Sequence, residues 1–350
     1  MSRGAGQAAA FRGSGVIELR PAPAPARPPG LARVTVDLCA LCGSDKRLLA
    51  SGADVTPGHE IAGTVAELPD QEPPDGQAGA TRAGQRVLVY IPVYCGRCAA
   101  CRAGQTNRCP DLDGLVGWQL PGGFQGFVDV PARNLIPVPG DIGPLTALLA
   151  LDTIGTAAHG MRMCAQALGV LPAAAAVVGC GALGLGATAT LGALGVPGRW
   201  AADPAPARAQ AAAALGAQPL GGPGAPRTFP LVVEASGTPA ARDLALDLVS
   251  PGGAVLLLGE GSEPLTMPAT AGWRRKDAFY IRSFYFPLSE VPGNFELLRR
   301  IGTGLAARLC TVHPFAELPA VFERFCAGEL IKPVIDVSGH ADALDQEGPR

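Results

Sequence analysis

Residues 175–186 read AAVVGCGALGLG and combine an apolar run, a glycine-rich turn and the start of an Ala/Leu-rich segment. The turn contains Gly179, Gly181 and Gly184 in the spacing G-x-G-x-x-G. In a strand–turn–helix context, such glycines let a pyrophosphate approach backbone N–H groups at the helix N-terminus. The stretch therefore predicts a doubly wound parallel α/β domain that binds a dinucleotide. In a chain with 47 glycines, a glycine-rich packing turn is the alternative.

An acidic residue ends the next predicted strand, in the sequence RWAAD, where Asp203 follows Gly179 by 24 positions. A carboxylate at this place accepts hydrogen bonds from a ribose 2′-OH and repels a 2′-phosphate. The sequence therefore favours NAD over NADP as the cofactor. Arg208, five positions after the acid, could instead neutralise a 2′-phosphate, which keeps NADP as the weaker alternative.

Hydrophobic patterns divide the chain into two parts. Up to about residue 138, short β-branched runs separated by Gly and Pro predict strands joined by long loops. These predicted strands are Ala32–Leu38, Glu60–Leu68, Arg86–Ile91, Phe127–Val130 and Leu135–Val138. From residue 173 to 286, apolar runs alternate with helical segments and predict a parallel sheet. Its predicted strands are Ala174–Val178, Arg199–Ala202, Leu231–Glu234, Ala254–Leu258 and Ala278–Ser283, and its predicted crossover helices are Ala205–Leu215 and Ala240–Leu248.

Composition limits the classes of function. A chain of 350 residues is long enough for two domains, and 48% hydrophobic with 17% charged residues is typical of a folded globular protein. The formal net charge is −2 and no long basic run is present, which argues against nucleic acid or an anionic membrane as a partner. Neither a secretory signal nor a membrane span is predicted. We therefore expect a cytoplasmic protein whose ten cysteines are ligands or core thiols.

Residues 38–60, LCALCGSDKRLLASGADVTPGHE, place Cys42 and His59 in two glycine-marked turns. A thiolate and an imidazole are donors that zinc prefers, and a third ligand must then come from elsewhere in the chain. Glu60, directly after the histidine, is a candidate supporting or exchangeable carboxylate. Ser44 offers a hydroxyl that can take a proton from an alcohol at this site.

Residues 94–109, YCGRCAACRAGQTNRC, form a four-cysteine loop with the spacing C-x2-C-x2-C-x7-C. Four thiolates so close in sequence can enclose one tetrahedral ion and leave no open position, which is typical of structural zinc. An iron–sulfur cluster is the alternative metal, but nothing else in the sequence indicates a redox role. The pattern predicts that a structural zinc is bound by Cys95, Cys98, Cys101 and Cys109.

Together, these segments resemble the zinc-dependent medium-chain dehydrogenase family, which includes the alcohol dehydrogenases. The stretches VVEASG (232–237) and PGGAVLLLG (251–259) are similar to later strands of that family's cofactor domain. The resemblance implies an α/β protein with a GroES-like β catalytic domain and a Rossmann domain. The first is expected at 1–150, with the structural-zinc lobe at 94–110, and is completed by 290–340. The second is expected at 151–289, followed by a flexible tail at 341–350.

The resemblance also implies roles for single residues. It makes Asp152, seven residues before His159, the third ligand of a catalytic zinc, and it places Thr156 near the nicotinamide. It places Leu183 behind the nicotinamide and Lys332 at the pyrophosphate.

Some of these roles have alternatives. Asp152 could instead cap the helix that follows it, and His159 is expected to be a packed helix residue. Many relatives carry a proton-relay histidine three residues after Ser44, where this chain has Arg47. Because arginine cannot act as a base at neutral pH, the relay must end at another group. Cys39 is a weaker candidate for the catalytic metal.

The resemblance predicts reversible hydride transfer between an alcohol and NAD, with two zinc ions per chain. The alternatives are a zinc-independent quinone or enoyl reductase, a non-catalytic NAD-binding redox sensor, and a dehydrogenase that also oxidises a hydrated aldehyde or hemithioacetal. We expect a small-molecule substrate, a secondary alcohol of a polyol, sugar or cyclitol. Trp118 and Tyr285 could line its pocket or simply pack. The family implies a homodimer or homotetramer.

Overall fold

The computed structural model describes residues 6–69, 81–261, 263–267 and 270–340, which form two compact units. The first unit comprises the described residues of Met1–Leu151, Pro287–Val291 and Leu309–Arg350, and the second comprises those of Asp152–Phe286 and Pro292–Arg308. The family resemblance predicts that 290–340 completes the first domain, whereas Pro292–Arg308 belongs to the second unit. The predicted tail at 341–350 lies outside the described residues.

Strands and helices are numbered in chain order. The strands are β1 (Gln7–Gly13), β2 (Val16–Pro21), β3 (Ala32–Ala40), β4 (Glu60–Glu67), β5 (Arg86–Val89), β6 (Pro92–Val93), β7 (Gly114–Leu115), β8 (Phe127–Val130), β9 (Leu135–Pro137), β10 (Ala174–Val178), β11 (Gly198–Ala202), β12 (Gln218–Pro219), β13 (Phe229–Glu234), β14 (Val249–Leu257), β15 (Phe279–Arg282), β16 (Cys310–Pro314) and β17 (Lys332–Asp336). The helices are α1 (Asp45–Ser51), α2 (Ala99–Arg102), α3 (Pro144–Leu148), α4 (Ala157–Leu168), α5 (Ala182–Ala193), α6 (Pro206–Ala214), α7 (Pro239–Leu248), α8 (Ala271–Arg274), α9 (Val291–Ile301), α10 (Gly304–Leu309) and α11 (Leu318–Cys326).

A mainly antiparallel sheet forms the first unit. Its strand order is β16-β17-β3-β4-β5-β9, with β8 also paired to β3, and only β16 and β17 run parallel. The central strand β3 is buried along most of its length, and its last three residues, Leu38–Ala40, are all inaccessible to solvent. Because Ala40 at the end of β3 pairs with Glu60 at the start of β4, the residues that follow β3 and precede β4 lie at the same end of the sheet.

Buried hydrogen bonds connect the four-cysteine lobe, residues 94–110, to this sheet. The buried hydroxyl of Tyr90 lies 2.9 Å from the hydroxyl of Thr106 in the lobe, and the Leu288 N–H also donates to Thr106. Asn134 donates to the carbonyls of Tyr90 and Pro92. Because these polar groups are buried, losing one partner would leave another unsatisfied, which favours a single position for the lobe.

The second unit is a parallel six-stranded sheet in the order β12-β11-β10-β13-β14-β15. This is the doubly wound order in which ligands bind at the carboxyl ends of the central strands. Apolar side chains under α7, including Ala176, Phe229 and Val255, form its core, and Trp200 and Tyr280 pack against the same cluster. Within this unit, Arg162 of α4 donates to the buried Asn294 of α9 and so links α4 to the segment Pro292–Arg308. No helix in the described part of the chain is both long and apolar enough to cross a membrane.

Candidate metal and cofactor sites

Two neighbouring strand ends position three members of a group of four possible metal ligands, here called the ligand group. Cys42 follows β3 by two residues, His59 directly precedes β4, and the pairing of Ala40 with Glu60 holds both at the same end of the sheet. Cys42, His59, Glu60 and Asp152 each offer one ligand atom, and these atoms lie within 4.8 Å of one another. A thiol, an imidazole and carboxylates form a donor set that fits zinc.

Asp152 begins a single π-helical turn, Asp152–Thr156, which leads into α4. The Thr156 hydroxyl donates to Asp152 Oδ1 at 3.0 Å and so orients the carboxylate. Wide turns of this kind occur frequently at functional sites. The N-cap position of α4 belongs to Thr156, so the capping role considered for Asp152 is wrong. His159 is buried in α4 and is not a member of the ligand group.

Asp45 supports the histidine of the ligand group. Its Oδ1 lies 3.0 Å from His59 Nδ1, and its Oδ2 accepts the Cys42 backbone N–H at 2.9 Å. Burial lowers the pKa of His59, but Asp45 and Cys42 raise it, and the net pKa lies well above the ordinary value. With Nδ1 directed at a carboxylate, Nε2 is the nitrogen left to bind a metal. The sequence analysis missed this role, although an acid close to a candidate ligand is a recognisable signal.

A buried ion pair holds the carboxylate that follows His59. Lys332 Nζ donates to Glu60 Oε1, and both side chains are at most 1% exposed. The pair forms because β17 lies beside β3, with Val334 opposite Ala40, while β4 flanks the other side. Lys332 was expected at the pyrophosphate. Its contact with Glu60 gives that role no support, and it stays a prediction.

Cys39 packs next to the ligand group without belonging to it. Gly58 has φ +99°, and a Cβ there would come within 2.7 Å of Cys39 Sγ and 2.9 Å of Phe124 N. Only glycine fits this turn. The backbone of Gly58 therefore packs directly against the Cys39 side chain. Burial raises the pKa of Cys39 well above its ordinary value, as expected for an inert core thiol. Among the described residues, Cys39 is in neither candidate metal group.

Helix α1 carries the hydroxyl and the two cations that follow Cys42. Ser44 is the N-cap residue of α1, yet its side chain makes no capping hydrogen bond. Lys46 Nζ lies 4.9 Å from the ring centroid of Phe325, whereas the guanidinium carbon of Arg47 lies 5.0 Å from that of Trp118. Lys46, whose direction the sequence left open, therefore contacts Phe325.

The four-cysteine loop brings its sulfur atoms within 4.8 Å of one another. The sulfurs of Cys95 and Cys101 are 4.0 Å apart, and those of Cys98 and Cys109 are 3.9 Å apart. A tetrahedral ion with bonds of about 2.3 Å requires sulfurs about 3.8 Å apart, so this geometry fits zinc. Backbone N–H groups, first that of Arg97, lower the pKa of Cys95 to about 7, while burial raises that of Cys101 to about 12.

The glycine-rich loop lies between β10 and α5, at the carboxyl edge of the parallel sheet. A Cβ at Gly184 would lie 1.8 Å from the Gly179 carbonyl oxygen, so the helix can approach the strand this closely only without a side chain. A Cβ at Gly181, the N-cap of α5, would meet no atom within 4 Å. The loop therefore offers an open backbone at a helix N-terminus, where a phosphate can bind. Leu183 is half-buried in the first turn of α5.

Asp203 meets this loop because β11 pairs in register with β10. Its Oδ2 accepts the Cys180 N–H at 2.7 Å, and its Oδ1 accepts the Ala205 N–H at 2.8 Å. The carboxylate is thus held beside the glycines in a fixed orientation. Burial, and then the nearby Asp203 carboxylate, raise the pKa of Cys180 to about 12, although the positive charge of Arg208 acts in the opposite direction.

Comparisons with known proteins identify the family of this chain. A family model described as "Alcohol dehydrogenase GroES-like domain" matches residues 28–140. L-galactonate-5-dehydrogenase of Escherichia coli (strain K12) is 30% identical over 300 residues, which cover 79% of this chain and 82% of the relative. The chain belongs to the zinc-type medium-chain dehydrogenase family. It has the α/β fold expected from the resemblance, with a GroES-like domain and a Rossmann-like parallel sheet.

Other relatives of this dehydrogenase are consistent with that membership. L-threonine 3-dehydrogenase of Xanthomonas campestris pv. campestris (strain B100) is 29% identical over 275 residues, covering 73% of this chain and 76% of the relative. The solved structure of alcohol dehydrogenase TADH from Thermus sp. ATN1 has a TM-score of 0.83 at 26% identity, covering 94% of this chain and 99% of that one. Acetophenone reductase from Geotrichum candidum in complex with NAD has a TM-score of 0.80 at 25% identity, covering 94% and 96%. The dehydrogenase is thus an oxidoreductase with a small-molecule substrate.

The two aromatic residues suggested for the substrate pocket differ in their surroundings. Trp118 of the dehydrogenase is half-buried, with its ring 5.9 Å from that of His59. Tyr285 is only 5% exposed, and its ring stacks on Phe286 at 4.3 Å. The packing alternative therefore applies to Tyr285, while Trp118 lies next to the ligand group.

Proposed function

We propose that this dehydrogenase is a zinc-dependent alcohol dehydrogenase that transfers a hydride between a secondary alcohol and NAD. The ligand group carries the proposal, because the ligand atoms of a thiol, a histidine and two carboxylates lie within 4.8 Å of one another. One thiolate and one carboxylate balance the charge of Zn²⁺, which makes Cys42, His59 and Asp152 the proposed ligands. When bound, zinc supplies Lewis-acid polarisation of the substrate oxygen.

The residues around the ligand group have separate tasks. Asp45 holds the ring of His59, and Lys332 holds the carboxylate of Glu60, which is available as an exchangeable ligand. Ser44 takes the proton of the substrate hydroxyl, because its side chain is not used to cap α1. Arg47 cannot continue a proton relay, so the proton leaves through water or the cofactor ribose.

The second unit is proposed to bind NAD. The open backbone at Gly181 and the N-terminus of α5 would hold the pyrophosphate, Leu183 and Thr156 would contact the nicotinamide, and Asp203 would accept hydrogen bonds from the ribose. When bound, NAD supplies the hydride acceptor. The fixed negative charge of Asp203 supports NAD over NADP, because it repels a 2′-phosphate.

Two features support a polyol or sugar derivative as the substrate. The curated relatives are named for galactonate and threonine, each of which carries a secondary hydroxyl. The half-exposed Trp118 offers an amphipathic surface beside His59, and such surfaces suit ligands that carry both carbon chain and hydroxyls. The four-cysteine loop is proposed to bind a second, structural zinc. The expected dimer or tetramer stays a prediction.

The deciding experiment is metal analysis joined to a substrate screen. Zinc per chain is measured by plasma mass spectrometry for the wild type and for Asp152→Ala. We expect about two zinc ions, falling to about one in the variant, with NAD reduction by the wild type on at least one secondary alcohol. One zinc in both proteins would refute the catalytic site and return the zinc-independent reductase as the better function.

A second outcome separates catalysis from sensing. A protein with two zinc ions that binds NAD but oxidises nothing in a panel of polyols, sugars, cyclitols and hydrated aldehydes would favour the redox sensor. Turnover of the hydrated aldehyde alone would narrow the function to that substrate.

A further inference from the structure

Glu234 ends β13, the strand next to β10, and its carboxylate is enclosed by the second unit. The side chain is inaccessible to solvent, and the residue pairs with Val178 on β10 and Leu257 on β14. It therefore lies at the carboxyl edge of the sheet, between the glycine-rich loop after β10 and the turn after β14. Within the described residues, Glu234 Oε2 has no hydrogen-bond partner. Burying a carboxylate in this way costs free energy, and its presence indicates a task.

The other oxygen of the carboxylate fixes the turn 235–237. Glu234 Oε1 accepts the backbone N–H of Ser236 at 2.7 Å and that of Gly237 at 2.6 Å. Hydrogen bonds to an ionised acceptor are roughly twice as strong as those between neutral groups. One side chain therefore holds the conformation of the turn that follows β13.

The turn 235–237 packs directly against the glycine-rich loop. A Cβ at Gly179 would lie 2.8 Å from both the Cβ and the N of Ser236. The Ala235 N–H also donates to the Val178 carbonyl, directly before Gly179. Because the two segments meet without an intervening side chain, a shift of the turn would displace the loop. The loop in turn leads to the N-terminus of α5, the proposed place of the pyrophosphate.

The turn after β14 encloses the carboxylate from the other side. A Cβ at Gly259 would lie 2.8 Å from Glu234 Oε2 and 2.1 Å from Gly237 N. Only glycine allows this approach. The turns after β13 and β14 are thus packed together around one acid.

Two cations hold the segment that follows β14. Arg282 donates to the Gly259 carbonyl at 2.8 Å, and Arg242 donates to the Glu263 carbonyl at 2.6 Å. Burial raises the pKa of Glu234, whereas the N–H groups of the turn and then these two cations act in the opposite direction. The guanidinium charges therefore favour the ionised carboxylate, which is the stronger acceptor for the turn.

We propose that Glu234 is a positioning residue for the dinucleotide, because it holds the turn 235–237 against Gly179 and so sets the affinity of the glycine-rich loop for the cofactor diphosphate. The carboxylate is enclosed and acts through the backbone of the turn. The inference rests on the proposed function, which places a pyrophosphate at this loop. It gives a task to an acid that serves neither the candidate metal sites nor the ribose.

The test measures binding by titration calorimetry on the zinc-loaded protein. The ligands are NAD and ADP-ribose, which contains the diphosphate but no nicotinamide. Glu234→Met has a similar volume but accepts no hydrogen bond from the turn, and Kd for both ligands should rise about 10-fold, the low end of the range for a hydrogen bond to a charged group. Glu234→Gln keeps an acceptor oxygen and should recover most of the affinity. Asp243→Asn, exposed on α7, removes one charge from the same unit and should bind like the wild type.

Hydrogen exchange and kinetics separate positioning from general stability. In Glu234→Met without ligand, amide exchange should accelerate in 179–184 and 235–237 and keep wild-type rates in the first unit, with zinc per chain unchanged. KM for NAD should rise while kcat at saturating NAD stays close to that of the wild type, because bound NAD restores the loop.

Unchanged Kd values in Glu234→Met would overturn the inference, as would faster exchange throughout the second unit, which would make Glu234 a residue of general stability. A rise in Kd for NAD but not for ADP-ribose would also overturn it, since the effect would then lie away from the diphosphate. Glu234→Asp keeps the charge on a shorter side chain and repeats the test if Glu234→Met does not fold. Wild-type Kd values in the aspartate variant would count equally against positioning.

The same measurements distinguish this inference from the proposed function. A wild type that binds both ligands but oxidises no alcohol would refute the dehydrogenase activity alone, and the Kd values of the variants would still decide the role of Glu234. A wild type that binds neither ligand would overturn both.

Discussion

Lys332 and Glu60 form an ion pair in the interior of the first unit, one residue along the chain from His59. The two residues are 272 positions apart in sequence and meet because β17 and β4 flank opposite sides of β3. A carboxylate that could compete for the metal is therefore held by an ammonium of the first unit's own sheet.

Removing one member of this pair should cost much more than removing both. Lys332→Met leaves the Glu60 carboxylate buried without its ammonium and should lower the free energy of unfolding by about 3–5 kcal/mol. The double variant Glu60→Gln/Lys332→Met removes both charges and should recover most of that loss. Urea unfolding of the three proteins gives the comparison. If the double variant lost as much free energy of unfolding as Lys332→Met, or more, the two charges would have no favourable energetic coupling.

Asp45→Asn should weaken zinc binding at the ligand group. The amide keeps one acceptor for the Cys42 N–H but no longer presents a charge to His59 Nδ1, and losing such a support typically costs about 10- to 100-fold in metal affinity. Competition with a chelator measures the affinity. Asp54→Asn, an exposed site nine residues away, is the matched control and should behave as wild type. Unchanged affinity in Asp45→Asn would mean that His59 is oriented by packing alone.

The four-cysteine loop should lose its metal without emptying the other site. Cys101→Ser should contain about one zinc per chain instead of two and unfold at lower temperature, since a closed zinc site contributes directly to folding. Cys326→Ser changes an exposed thiol and should keep both ions. Plasma mass spectrometry and thermal unfolding provide the two readouts. Two zinc ions in Cys101→Ser would refute the structural site.

Asp203→Asn should shift cofactor preference. Loss of the charge removes an acceptor for the ribose and the repulsion of a 2′-phosphate, so KM for NAD should rise about 10-fold or more while KM for NADP falls. Asp243→Asn, on the exposed face of α7, controls for the loss of one charge in the same unit. Steady-state kinetics with both cofactors would contradict the assignment if the NAD-to-NADP ratio of kcat/KM did not change.

Asp37→Asn should stabilise the protein at neutral pH. Burial raises the pKa of Asp37 above 3.8, against the effect of the Thr64 hydroxyl that donates to it, and nearby Asp336 raises it further. The folded state therefore holds this proton more tightly than the unfolded state. Ionisation of Asp37 thus lowers stability as pH rises from 3.8 through the folded pKa, and the loss remains at higher pH.

Asparagine keeps an acceptor for Thr64 and does not ionise. The gain in melting temperature over the wild type should consequently be larger at pH 7 than at pH 4, because a larger fraction of Asp37 is protonated at the lower pH. Asp54→Asn again serves as the control for loss of one negative charge. A gain in melting temperature that does not depend on pH would show that burial does not raise the pKa of Asp37.

Much of the fold could be predicted because it follows from local patterns. β8 and β10 have the predicted bounds, and β3, β4 and β11 each differ from prediction by one or two residues at one end. The strands β1, β12 and β16 were missed, as were α1 and α11. Alanine-rich or short segments such as these carry little periodicity, and pairing with distant partners decides their structure.

The sequence by itself determined the chemistry of the candidate sites: which thiols, imidazole and carboxylates are present, and the glycine spacing that suits a pyrophosphate. Spacing sufficed there because the four-cysteine loop and the glycine-rich turn are formed by neighbouring residues. Only the tertiary structure decided that Asp45 supports His59, that Lys332 is paired with Glu60, and that Arg47 stacks on Trp118. Two of these contacts join residues far apart in sequence, and the first depends on the register of β3 and β4, which no local pattern specifies.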